Sequence, residues 1–219
     1  MSDLPPIVGI GASAGGLEAL RDFVQSIPND SGLAYVVVQH LAPDQPSLMD
    51  KLLSAHTPVK VSRIEDGGAI EPDHVYVIPP GPFLAIEDDR FRLLDHEREE
   101  GVRTPIDRFF ASLAEAAGRN AFAVVLSGTG SDGTTGVRTI KTYGGIALVQ
   151  ESRTARFPGM PDSAASTGLV DFVLRAQDMP GKILDIVTHR RQIEGNGGRN
   201  SLLNEIQTRL QEVLDLLED

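Results

Sequence analysis

The chain has 219 residues, of which 41% are hydrophobic and 23% charged, an ordinary globular composition with room for one α/β domain and an appendage. Its formal net charge is −11, from 20 Lys and Arg against 31 Asp and Glu, and it has no cysteine. An acidic balance without a Lys/Arg stripe argues against nucleic-acid binding, and zero cysteine excludes disulfides, thiolate metal sites and a cysteine nucleophile.

The start, Met1-Ser2-Asp3-Leu4-Pro5-Pro6, has neither a basic n-region nor an apolar h-region, so no signal peptide is expected. No apolar run approaches the roughly 20 residues of a membrane helix, so no membrane insertion and a cytoplasmic location are expected. Ile7 to Ile10 reads as a short buried strand, and a helical pattern over 16–27 sets Leu17, Leu20, Val24 and Ile27 on one face. Between them lies Gly11-Ala12-Ser13-Ala14-Gly15, a G-x-S-x-G. That is the pattern of a nucleophile elbow, in which a serine sits on a sharp strand-to-helix turn. The small neighbours leave the hydroxyl uncovered, and free amides at the helix start would face a developing oxyanion. Two other readings fit the same residues. Ser13 can be a helix N-cap. Gly9-x-Gly11-x-x-x-Gly15 also resembles a loosened dinucleotide fingerprint, which wants an acid about 20 residues on. Here the next strand ends Val38-Gln39-His40, so the nucleotide reading is disfavoured.

Further along, Pro28 to Gly32 is a turn cluster and 34–39 a strand apolar on consecutive positions, as in a parallel sheet buried on both faces. A helix is expected over about 46–55, a strand over 59–63, and another from Val75, stopped by Pro79 and Pro80. Phe83 to Glu87 and Phe91 to Leu94 flank Asp88-Asp89-Arg90 and read as a hairpin at a sheet edge. Thr104 as cap and Pro105 at N1 open a helix to Gly118, with Ile106, Phe109, Phe110, Leu113 and Ala117 inward. Phe122 to Leu126 is a central strand, Ser127 to Gly133 a Gly-rich turn, and 134–143 a helix. A strand over 145–150, a helix over 158–167, a strand over 169–174 and a helix over 178–194 complete the series. Alternating strands and helices predict a three-layer α/β/α fold: a mostly parallel, doubly wound sheet with an antiparallel edge hairpin.

In open α/β sheets, sites lie beyond the carboxyl ends of the strands. Ser13 follows the first strand, His40 ends the second, and Asp132 lies in the turn after the central one. These are the residue types of a serine hydrolase triad: a hydroxyl that needs a base, an imidazole titrating near neutrality, and a carboxylate to orient it. Each has a plainer reading, His40 as a loop histidine and Asp132 as an N-cap; their common rim favours the triad. His56, His74, His96 and His189 read as solvated or structural and form no metal constellation. The order Ser, His, Asp, with one short strand before the serine, does not fit the α/β-hydrolase fold.

Six motifs occur in sequence: Gly9-Ile10-Gly11-Ala12-Ser13-Ala14-Gly15-Gly16, Gln39-His40-Leu41-Ala42-Pro43, Glu65-Asp66-Gly67, Gly118-Arg119-Asn120-Ala121, Leu126 to Gly133, and Phe157-Pro158-Gly159-Met160-Pro161. Together they resemble the catalytic domain of the chemotaxis receptor methylesterase family, CheB, from about Ile7 to about Ile186. The resemblance implies hydrolysis of glutamate γ-methyl esters on chemoreceptor helices, with glutamine deamidation as a related activity, and no cofactor or metal. The family's catalytic serine, histidine and aspartate fall on Ser13, His40 and Asp132. Oxyanion and substrate-loop candidates are Ala14, Thr129 and Met160; the family often has methionine where this chain has Thr129. A non-catalytic signalling module of the same fold is the rival expectation.

The expected domains are 1–194, the methylesterase catalytic domain, and 195–219, a Gly-rich break and an amphipathic helix. In that helix Leu203, Ile206, Leu210, Val213 and Leu217 form an a/d seam, which predicts self-association through 201–217 or a linker into another domain. The family's receiver domain is not expected here, because the catalytic strand starts within ten residues of Met1. Family members without a receiver also occur in front of a receptor methyltransferase domain, which is the expected continuation.

Overall fold

The sheet starts from a strand with no exposed residue. In the computed structural model, which describes residues 4–39, 48–94 and 104–195, β1 (Ile7–Ala12) is buried along its whole length. Runs of Val, Ile and Ala at consecutive positions suit a strand covered on both faces. The same holds for β7 (Ala121–Val125) and, up to its half-buried last residue Gln39, for β2 (Ala34–Gln39); the two flank β1 in parallel. β3 (Lys60–Arg63) and β4 (His74–Val77) extend the sheet beyond β2, and β8 (Ile146–Gln150) and β9 (Phe172–Leu174) extend it beyond β7. The order is β3-β4-β2-β1-β7-β8-β9, and every pairing in it is parallel.

Successive side chains on a strand face opposite ways, and the helices sort accordingly. α1 (Gly16–Gln25) lies on the face of Val8, Ile10 and Tyr35, with the Phe23 and Tyr35 rings edge to face at 6.2 Å. The other face carries the larger core, in which Ile7, Val36, Ala123 and Val149 meet α3 (Pro105–Ala117), α4 (Thr134–Thr142) and α5 (Gly159–Ala165). α2 (Met49–Ser54) buries Met49 and Leu53. The chain passes from β1 to β2, on to the edge strand β3 and back to β4 between them, then returns to β7 beside β1 and winds outward on the other side. Right-handed crossovers put α1 and α4 on opposite faces for that reason.

Two expectations change. The hairpin β5 (Phe83–Glu87) and β6 (Arg90–Leu94) forms a separate two-stranded sheet and does not lengthen the edge of the parallel one. It joins the α3 core through Leu84, Ile86 and Phe91, so its apolar side is satisfied by a helix face. The Thr104 side chain does not cap α3; Asp132 supplies the acceptors instead. The chain falls into two compact units, Met1–Gly181 and Lys182–Asp219. α6 (Met179–Gly195) runs across that division. Of the break and seam expected over 195–219, Gly195 is the last residue of α6 and 196–219 lie outside the described residues.

Candidate active site

The reversal of winding falls between β1 and β7, the topological switch point at which open α/β sheets hold their ligands. Ser13 follows β1 directly and Asp132 lies in the loop after β7. The β1–β7 ladder continues past the strand ends, Leu126 N–H donating to the Gly11 carbonyl at 2.9 Å and Ser13 N–H to the Ser127 carbonyl at 3.0 Å. Ser13 is therefore held by strand pairing, not by a free loop. A turn closes behind it, with Gly16 N–H on the Ser13 carbonyl at 2.9 Å.

Ser13 is not the N-cap of α1. That position belongs to Gly15, at φ 66°. Nor is the serine itself in the left-handed region, where the described non-glycine residues are Asp30, Asp73, Asp88 and Asp89. The turn thus places its positive φ on glycine two residues on, where no Cβ penalty applies, unlike a strained elbow at the serine. A Cβ on Gly15 would also stand 2.8 Å from the Phe157 ring. Gly128 likewise allows a close approach across the site. A Cβ there would lie 3.0 Å from Ser13 Cβ and would collide with Met160 Sδ.

Asp132 is 6% exposed, and its carboxylate is fixed by backbone donors. Oδ2 accepts Ile106 N–H at 3.0 Å; Oδ1 accepts Asp107 N–H and Gly133 N–H, each at 2.9 Å. It therefore satisfies orphan amides at the start of α3. Asp107 returns the favour, accepting Gly136 N–H from α4 at 2.7 Å. Burial pushes the Asp107 carboxyl above its ordinary range, against the lowering effect of the Gly136, Gly133 and Thr135 amides. Asp132 thus caps α3 as well as standing on the rim.

Ala14 and Thr129 are exposed, while Met160 is fully buried against Gly128. Gly128 is clamped from one side by the segment that enters α5: Gly128 N–H donates to the Phe157 carbonyl and Met160 N–H to the Gly128 carbonyl, both at 2.9 Å. Two clefts of about 370 and 300 Å³ open beside the Ser13 turn and share Gly15, Glu18 and Arg156. His40 lies outside the described residues. Gln39, the residue before it, is the register partner of Ala12, the residue before Ser13. Sequence reasoning passed over Ser127, Gln150 and Asp107. Ser127 stood inside a quoted motif, but only its burial shows its importance.

A parallel sheet with Ser13 and Asp132 both beyond strand ends at its switch point defines an open α/β/α domain with a candidate site at the β1 and β7 ends. A family model, CheB methylesterase, matches residues 8–183, and the chain belongs to that family. It is similar to the crystal structure of the Thermotoga maritima CheB methylesterase catalytic domain, with a TM-score of 0.77 and 31% identity, over 83% of this chain and 98% of that one. It is 34% identical over 190 residues to the protein-glutamate methylesterase/protein-glutamine glutaminase of group 3 operon of Rhizobium meliloti (strain 1021), covering 86% of this chain and 54% of that protein. It is 41% identical over 145 residues to an uncharacterized 104.1 kDa protein of Rhodobacter capsulatus, covering 66% of this chain and 15% of that protein. The chain thus spans about half the length of the Rhizobium protein and a small part of the Rhodobacter protein.

Proposed function

We propose that this chain is the catalytic module of a serine-dependent protein-glutamate methylesterase, with Ser13 as nucleophile, His40 as base and Asp132 as the group that orients it. The observation that carries the reading is the meeting of the Ser13 turn and the Asp132 loop at the switch point in a member of the CheB family. The register of Ala12 with Gln39 supports His40 as the third member, since neighbouring strands run about 4.8 Å apart.

In this reading His40 takes the Ser13 proton as Oγ attacks the ester carbonyl. Amides of Ala14 and of the Thr129 turn receive the oxyanion. Collapse of the tetrahedral intermediate breaks the C–O bond, and the proton on His40 leaves with methanol. Water, activated by the same imidazole, then hydrolyses the acyl-enzyme to the free glutamate side chain and restores Ser13. The substrate is a methylated chemoreceptor helix, and a glutamine amide would follow the same course with ammonia leaving. The small share of the Rhodobacter protein that aligns supports a module joined to further domains, and the family resemblance makes a receptor methyltransferase the candidate among them.

A serine-directed fluorophosphonate tests the reading. It labels the wild-type chain on the peptide containing Ser13 and leaves Ser13→Ala unlabelled. Equal labelling of both chains, or none of either, favours the non-catalytic module of the same fold.

A further inference from the structure

Ser127 is a fully buried polar residue just past β7, and the steps above make no use of it. Its polar groups join three loops of the rim. The N–H donates to Gln150 Oε1 at 2.8 Å, and the carbonyl accepts Ser13 N–H at 3.0 Å. The hydroxyl donates to the Ala14 carbonyl at 3.0 Å and accepts Phe157 N–H at 3.0 Å. Gln150 Nε2 in turn donates to the Thr154 carbonyl at 3.0 Å. Both ends of that amide are engaged, so its acceptor oxygen is held toward Ser127.

The consequence appears in three successive peptide units. The unit 12–13 is pinned by Ser13 N–H on the Ser127 carbonyl. The unit 13–14 is pinned by the Ser13 carbonyl, which accepts Gly16 N–H. The unit 14–15 is pinned by the Ala14 carbonyl on Ser127 Oγ. The Ala14 N–H belongs to the middle unit, and Ser127 holds the unit on either side. We infer that Ser127 is a positioning residue: its main chain seats Ser13 and its hydroxyl fixes the direction of the Ala14 amide toward the tetrahedral intermediate. This rests on Ser13 being the nucleophile. A donor aimed before reaction costs no reorganisation during it, and a peptide free to rotate loses that advantage.

The test is steady-state methanol release by Ser127→Ala, Ser127→Thr and Ser127→Cys. Ser127→Ala loses about 10²-fold in kcat, the penalty of a misplacement near 1 Å, with KM and the pH midpoint of kcat/KM unchanged. Ser127→Thr keeps the hydroxyl and restores most of kcat. Affinity for an alkylboronic acid, a tetrahedral mimic, falls in parallel with kcat in the alanine variant. Ser127→Cys, close in size with a weaker donor, falls between alanine and wild type and takes over the test where alanine fails to fold. A kcat within twofold of wild type in the folded alanine or cysteine variant overturns the inference. So does an equal loss in the threonine and alanine variants. Turnover by Ser13→Ala would instead overturn the nucleophile, so the two failures are distinguishable.

Discussion

The Asp132 carboxylate accepts three backbone N–H groups, from Ile106, Asp107 and Gly133, and this changes how its variants have to be read. Asp132→Ala strands all three donors, and an unsatisfied buried donor costs about 1–3 kcal/mol. The alanine variant is therefore expected to melt several degrees below wild type, so its lost activity mixes chemistry with fold. Asp132→Asn keeps one carbonyl oxygen for two of the donors and turns an amide N–H toward the third, so its melting temperature falls between the two. Thermal melts of both variants check this, and a wild-type midpoint for Asp132→Ala would contradict it. Ser13 carries no such structural duty as a helix cap, since Gly15 holds that position. Ser13→Ala is accordingly expected to melt with wild type while losing esterase activity, and His40→Ala to lose activity to a similar extent, as members of one catalytic unit do.

The glycines of β1 belong to the scale of elements. Gly9 and Gly11 point to one face of the strand, and α3 lies against both. A Cβ on Gly9 would stand 2.7 Å from Leu113 and 2.9 Å from Phe109, and one on Gly11 would stand 2.5 Å from Ile106. The G-x-G that resembled a nucleotide fingerprint is there so that α3 can seat closely. Gly11→Ala is expected to destabilise by about 1–3 kcal/mol through overpacking. Paired with Ile106→Ala it should cost less than the sum of the single changes, because the two atoms compete for one space. A double-mutant cycle in urea measures the coupling, and strict additivity would refute the contact. Strand and helix order was legible because consecutive apolar runs such as Val36-Val37-Val38 and the 3.6-residue spacing of Ile106, Phe109, Phe110 and Leu113 carry their own periodicity. The cross-cap of Asp132 on α3, 26 residues away, was not legible, nor was the detached hairpin. Both depend on tertiary neighbours that no local window contains. The candidate site was legible in part: residue types and the rim rule selected Ser13, His40 and Asp132 as candidates, whereas Ser127 and Gln150 resemble any polar pair until their burial is known.

Across the whole molecule, two ionisable groups, the buried His74 and the half-buried Asp107, act on stability in opposite senses. His74, 4% exposed and stacked on Tyr76 at 4.0 Å, has its pKa lowered by burial first and by Lys60 second, against the opposing pull of Glu71. A lowered folded pKa means that the unfolded chain takes up the proton first, so stability falls as pH drops through the ordinary imidazole range. His74→Phe keeps a ring on Tyr76 and should flatten the melting temperature across that range. Asp107 has its pKa raised by burial, so the folded chain holds that proton longer and the carboxyl weakens the fold as pH rises through and above the ordinary carboxylate range. Asp107→Asn retains an oxygen for Gly136 N–H, and its stability relative to wild type should grow from acid to neutral pH. Melts against pH separate the two, and a slope of the opposite sign in either would contradict its assignment. The proposed attack of Ser13 on a glutamate methyl ester is supported by its place at the switch point and by the CheB family match. The most direct measurement is methanol released from a methylated chemoreceptor fragment, wild type against Ser13→Ala at equal melting temperature: this account predicts turnover by wild type and loss of most of it in the variant, and undiminished release by Ser13→Ala would contradict it.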